Sequence, residues 1–314
     1  MTVLFEATHI VNVVEVTPDL KQYYENLITV IARSFLDADT IEQIEKIVVP
    51  EDFLSAVMDF QIKNGDKNPS VTNNEFGRAF GKLLFNPETK KYVVFIDVML
   101  ATFIMDDTVF NACFNRLDEA ALEEAKKKRQ VSLNILAHEL AHVEFALTVV
   151  RPKYEKTLQS GLTIQSYNLL DEYYACRRAS TFCSRTLADD DESFILDLEE
   201  KIDNERWRYK KGNKDLNDFC KEFHQFSEMA LIRLVSVLGM YAADENDQLP
   251  FPNTFLGKQA GIFKISFDLL FQRIVNGQKI YDSMMPIKAI ENYYKDLGVI
   301  IFETEEGIYY SIPD

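Results

Sequence analysis

The residues with the clearest chemical potential in this chain are His138-Glu139-Leu140-Ala141-His142, a His-Glu-x-x-His sequence inside Asn134–Phe145. Four residues apart on a helix, two imidazoles stand one turn above the other and can point at one ion. Glu139 is offset by about 100° around the axis, where a carboxylate serves as a base rather than a ligand. The surroundings agree. Between Val131 and Val150, histidines aside, the only charged residues are Glu139 and Glu144. Leu133, Leu136, Leu140, Val143 and Leu147 form an apolar stripe opposite the histidines, and Val131, Phe145 and Val149 flank them. The helix is therefore expected to be buried nearly all round. Two histidines and a glutamate buried without partners cost several kcal/mol, an objection that a metal ion removes.

A zinc site of this kind takes a third protein ligand and leaves one position open to water. A third histidine six residues after the second, the metzincin arrangement, would fall at Thr148 and is absent. Asn168–Ala179 offers two carboxylates. On a helix Glu172 shares a face with Asn168, Cys176, Ala179 and Cys183, a mostly small-residue stripe that lets two helices approach closely. Asp171 shares a face with Arg178 and Arg185, where a solvated ion pair suffices for it. Glu172 is thus the expected third ligand. Glu144 reads either as a carboxylate that orients a ligand or as a polar edge residue. Tyr173, Tyr174 and His224 are the candidates for stabilising an oxyanion, with packing as the alternative for the tyrosines and an ordinary helix position for His224. Cys176, one turn from Glu172, reads as a structural thiol, and His9 as a residue on a strand surface.

The elements that must position these groups can be read along the chain. His9–Val16 is strand-like, and Thr17-Pro18 caps and starts a helix over 18–35. Shorter helices are predicted over 40–48 and 51–61, then a loop over 64–74. The runs 76–85 and 91–97 flank the turn cluster Asn86-Pro87-Glu88-Thr89 as an antiparallel hairpin. An exposed, charge-laced helix over 117–128 precedes the separate histidine helix over 131–150, which Arg151-Pro152 stops. A polar loop to about Ser166 leads to a helix over 167–187. Nine acidic residues between Asp189 and Glu205, followed by Arg206, Arg208, Lys210, Lys211 and Lys214, read as one solvated helix whose charge changes sign. Further helices are predicted over 216–243, over 262–275 and from Pro286, with a closing hairpin over 299–312. The class is α+β.

Composition narrows the function. Lys and Arg number 34 and Asp and Glu 50, a net charge of −16, with 47% hydrophobic and 27% charged residues. That balance describes a folded chain. It argues against nucleic acid or an anionic membrane surface as the main partner. The start of the sequence lacks the features of a signal peptide, and four cysteines without CxxC spacing read as reduced thiols, so a cytoplasmic location is expected. No Gly-rich phosphate loop is present.

On His138-Glu139-Leu140-Ala141-His142 with a downstream helical Glu172, the chain resembles the gluzincin clan of zinc metallopeptidases. Within it the resemblance is to the compact intracellular ImmA/IrrE-type peptidases, over roughly residues 76–187. The chain departs from other gluzincins in the 29 residues between His142 and Glu172 and in lacking the Gly-x-Met-Glu-Asn exopeptidase signature. It shows no helix-turn-helix segment, and nothing familiar covers residues after 189. The resemblance implies a zincin-like minidomain over 1–188, a small sheet with active-site helices, followed by a mostly helical region over 189–314. It implies Zn²⁺ held by His138, His142 and Glu172, with Glu139 as the general base. It also makes Tyr92–Ile96 the edge strand that pairs with an extended substrate. The expected function is a zinc-dependent endopeptidase acting on an intracellular protein or peptide; the alternative is a non-catalytic, zinc-stabilised protein-binding module. Other divalent ions also suit such a site.

Overall fold

Strands covered on both faces need continuous apolar runs, and the chain supplies them in Ile47–Val49 and Val93–Ile96, all of which are buried. The structure, a computed structural model, describes residues 1–10, 14–74, 77–183, 191–278, 280 and 284–313. It is mixed α+β and divides into two units, Met1–Leu147 with Arg178–Arg185, and Thr148–Arg177 with Thr186–Asp314.

The first unit runs through β1 (Thr2–Phe5), β2 (His9–Ile10), β3 (Val14–Glu15), α1 (Pro18–Phe35), α2 (Ala38–Glu42), β4 (Ile44–Val49) and α3 (Phe53–Lys63). There follow β5 (Asn73–Asn74), β6 (Gly77–Arg78), β7 (Gly81–Asn86), β8 (Lys91–Ile96), α4 (Val98–Ala101), α5 (Asp107–Phe114) and α6 (Glu119–Thr148). Four strands make one sheet in the order β1-β4-β8-β7; β1, β4 and β8 are parallel and β7 is antiparallel to β8. On one face Phe53 and Val57 of α3 join Val48, Val93 and Phe95 in a core cluster. Tyr24 of α1 stacks on Phe5 of β1, ring centroids 5.0 Å apart. Side-chain caps set the helix starts: Thr17, Asp37, Asp52, Asp97 and Asp106 each accept a backbone N–H of the following turn, as orphaned first-turn donors require.

Three expectations are corrected here. Residues 40–48 are not a helix: α2 ends at Glu42, and Ile44–Val49 is a central strand. Four of its six residues are β-branched and apolar (Ile44, Ile47, Val48 and Val49), and burial between two strands outweighs local helical spacing. With β4 in the sheet, Tyr92–Ile96 is an interior strand, and the edges are β1 and β7. The charged and histidine-bearing helices are one continuous helix, α6, because no Gly or Pro interrupts Lys128–Val131. The middle of the strand read over His9–Val16 lies outside the described residues; its ends pair as β2 and β3.

The second unit holds α7 (Leu158–Phe182) through Arg177, then α8 (Asp191–Lys210), α9 (Leu216–Ala243), α10 (Ala260–Val275), α11 (Met284–Asp296), β9 (Ile300–Thr304) and β10 (Gly307–Ser311). α7 begins well before the predicted residue 167, since Leu162, Ser166, Leu169 and Tyr173 form a buried stripe; its predicted end near Leu187 lies outside the described residues. α8 turns Ile195, Leu198 and Ile202 inward, packs on α9, and pairs its charges three or four residues apart. α9 is long and apolar enough to cross a membrane, yet 56% of that stretch is buried inside the fold, including Phe223, Leu231, Leu234 and Leu238. The closing hairpin β9–β10 is antiparallel, as predicted.

Candidate metal centre

α6 is anchored along its length within the first unit. Leu136, Leu140 and Val143 are fully buried. Asn134 donates its side-chain amide to the carbonyl of Cys183 at 2.9 Å. Near the charged end, Arg129 donates to the Met105 carbonyl and to Asp107, both at 2.8 Å. Glu144 receives a two-pronged pair from Arg178, Nε to Oε2 and Nη2 to Oε1, both 2.8 Å, and the same guanidinium lies over the Phe35 ring. Such a fork fixes orientation as well as distance, so Glu144 ties α6 to the last turn of α7 rather than sitting idle at an edge. Leu147 is 45% exposed, so burial all round, as the sequence suggested, holds only for the middle of the helix.

This anchoring aims the histidines. The Nε2 atoms of His138 and His142 are 3.0 Å apart, with ring planes at 89°. Two nitrogens on one tetrahedral zinc at 2.0–2.1 Å sit about 3.3 Å apart, so the pair is close to a ligating arrangement. His138, His142 and Glu172 form a possible metal site, each offering one ligand atom, all within 4.8 Å of one another. Two imidazoles and a carboxylate suit zinc and other divalent ions of the first transition row.

Glu172 has its own support in the second unit. Ser236 of α9 directs its hydroxyl to Oε1 at 3.0 Å, and Cys176 lies one turn on with its sulfur 3.5 Å from the same oxygen. Partners of this kind orient a ligating carboxylate. α9 comes so close because residue 239 is glycine: a Cβ there would lie 2.6 Å from the Tyr173 carbonyl oxygen. The close helix approach expected from the small residues around Glu172 is thus made through Gly239.

Glu139 is buried at 8% exposure. It backs onto the first residue of β7, where a Cβ at Gly81 would lie 2.5 Å from its Cγ and 2.6 Å from its Oε1. The carboxylate therefore rests directly against the edge strand. The sequence reading missed Gly81, Ser236 and the role of Arg178. Ser236 and Gly239 carry a legible signal, two small residues one turn apart within an otherwise Leu- and Val-rich helix.

The oxyanion candidates sit elsewhere. Tyr173 is fully buried against Phe267; its hydroxyl donates to Asp268 and accepts from Arg177, and burial pushes its pKa up. Tyr174 is 5% exposed beside Phe271. His224 is paired with the Tyr310 hydroxyl at 2.6 Å, and burial lowers its pKa. His9 is an exposed strand residue beside Glu51. No family model, curated protein or solved structure matches the chain.

Proposed function

We propose that this chain is a cytoplasmic zinc-dependent endopeptidase of the gluzincin kind, hydrolysing a peptide bond in a protein or peptide. The observation that carries the reading is Glu139, a buried carboxylate flanked in sequence by the two histidines and pressed against the edge strand. A purely structural zinc site has no use for it. When bound, the ion supplies Lewis acidity toward a carbonyl and lowers the pKa of its water.

The rest is the work of the chain's own residues. Glu139 accepts the proton of the attacking water and returns it to the leaving amine, with Gly81 leaving room for the carboxylate to lie where it does. The outer side of β7, which has β8 as its neighbour in the sheet, offers main-chain N–H and C=O groups to an extended peptide. Ser236 holds Glu172 in orientation.

The test is metal content of untagged protein by elemental mass spectrometry, with cleavage of a fluorogenic peptide mixture by the wild type and by Glu139→Gln. Expected are about one zinc per chain in both proteins and a loss of 10²–10⁴-fold in rate for the variant, on the order of a general base's contribution. Zinc bound with no cleavage, or with cleavage indifferent to Glu139, overturns the reading in favour of a zinc-stabilised binding module. Absence of zinc after the metal is offered removes both.

A further inference from the structure

The second unit contains a pocket of about 370 Å³ walled by the start of α7, by α9, by α11 and by the closing hairpin. That size is within the range of small-ligand sites, about 300–1,000 Å³. Its polar groups are mostly satisfied by one another. The Gln165 amide and the Tyr294 hydroxyl are bonded at 2.7 Å, and His224 is bonded to the Tyr310 hydroxyl at 2.6 Å. The pocket therefore shows mainly ring faces and the aliphatic walls of residues such as Leu162 and Ile308.

Glu228 is the exception. One turn beyond His224 on α9, it lines the pocket, and among the described residues its carboxylate has neither a hydrogen-bond donor nor a cation beside it. Among the described residues no Lys or Arg lines the pocket. Glu228 is exposed at the rim of the pocket, open to an incoming cation, and the protein packed beside it raises its carboxyl pKa by desolvation.

We propose that this pocket takes an organic cation, the ammonium or guanidinium of a lysine or arginine side chain in the substrate. Glu228 is the counter-charge, the faces of Tyr154, Tyr294 and Tyr310 receive the cation, and the aliphatic walls cover its stem. Asn168, also in the lining, lies four residues before Glu172 on α7, about 6 Å along the axis and on the same face. The pocket thus opens one helical turn from the ligating carboxylate. As a selector of substrate side chains the proposal rests on the peptidase reading; as a cation site it does not.

The experiment therefore has a binding arm and a cleavage arm. In the first, N-acetyl-lysine methylamide, N-acetyl-arginine methylamide, their neutral analogue carrying an Nε-acetyl group, and butylamine are titrated into zinc-loaded protein by calorimetry or NMR. The capped cationic residues are expected to bind, the neutral analogue at least tenfold more weakly, and Glu228→Gln to weaken the cationic residues at least tenfold with zinc content unchanged. Equal binding of charged and neutral analogues, or no binding at 10 mM (on the order of the weakest useful affinity), overturns the proposal. So does binding of butylamine alone, which marks a free-amine site. In the second arm, peptides with lysine or arginine replaced by norleucine are expected to be cut at least tenfold more slowly by the wild type but not by Glu228→Gln. Cleavage without that preference overturns the pocket's role and leaves the peptidase standing. Cation binding without cleavage does the reverse.

Discussion

Replacing Gly81 with alanine displaces the Glu139 carboxylate, the general base of the proposed peptidase, while leaving the candidate metal ligands alone. The added Cβ would lie 2.5 Å from Glu139 Cγ, 2.6 Å from Oε1 and 2.8 Å from Cδ. Non-bonded carbon atoms settle at about 3.5–4.0 Å, so the carboxylate must retreat by about 1 Å. The atoms in the way are the flexible end of a side chain, and Gly81 is not among the glycines with a left-handed backbone. The strand itself accepts alanine, and lowered unfolded-state entropy favours the variant by about 0.4–1 kcal/mol. A 1 Å misplacement costs on the order of 100-fold in rate, or about 2.7 kcal/mol of barrier. The assay is kcat and KM on a cleaved peptide, with zinc stoichiometry and the midpoint of thermal unfolding measured on the same samples. Expected are a fall of about 100-fold in kcat, one zinc per chain, and an unfolding midpoint at or slightly above that of the wild type. An unchanged kcat, or activity lost together with zinc and fold, would refute the argument that this glycine exists to seat the carboxylate.

Other perturbations separate the supporting parts. Gly239→Ala puts a methyl group 2.6 Å from the Tyr173 carbonyl oxygen, a backbone atom that cannot give way. Overpacking of about 1–3 kcal/mol, less the gain of alanine over glycine in a helix, leaves the variant destabilised in a denaturant melt and weaker in a zinc titration. Arg178→Lys breaks the fork to Glu144; both side chains are partly exposed, so a loss of about 1–2 kcal/mol is expected, and a cycle with Glu144→Gln should show the two losses to be less than additive. Burial holds the pKa of His224 below its ordinary value. The unfolded chain therefore takes up the proton first, and the stability His224 confers is complete above about pH 6.5 and lost as pH falls toward its folded value. His224→Gln should remove that component from the acid side of a stability–pH profile.

The helices that carry His138, His142 and Glu172 were legible because these candidate ligands lie on strongly patterned segments, α6 and α7. The sheet was less legible. Ile44–Val49 is short and follows a capped helical turn at Asp37, so its spacing fits a helix as well as a strand, and only its place between β1 and β8 decides. The placing of an edge at Tyr92–Ile96 came from the family resemblance, and β4 pairing with β8 overturns it. The change from a charged to an apolar composition near Val131 hid the continuity of α6, and the polar residues near Gly161 hid the start of α7, since a solvated helical face and a loop share a composition. Gly81 was invisible for a different reason. What makes it matter is a side chain 58 positions away in the sequence, and no local pattern records such a contact.

If the chain is the peptidase proposed above, the place of β7 at the end of the sheet has a consequence for which targets are vulnerable. A row of main-chain donors and acceptors does not distinguish one sequence from another. Six residues of strand span about 20 Å, so a chain laid along it must be free of its own helices and sheets over that length. A target locked in its native fold does not offer such a stretch, whereas one that frays does. Conformational weakness in the target would then gate the reaction before side-chain identity is read, and a change that merely loosens a protein would expose it to cleavage without altering the bond that is cut. The same indifference makes another copy of β7 a competitor for its own edge, so crowding would act as a brake.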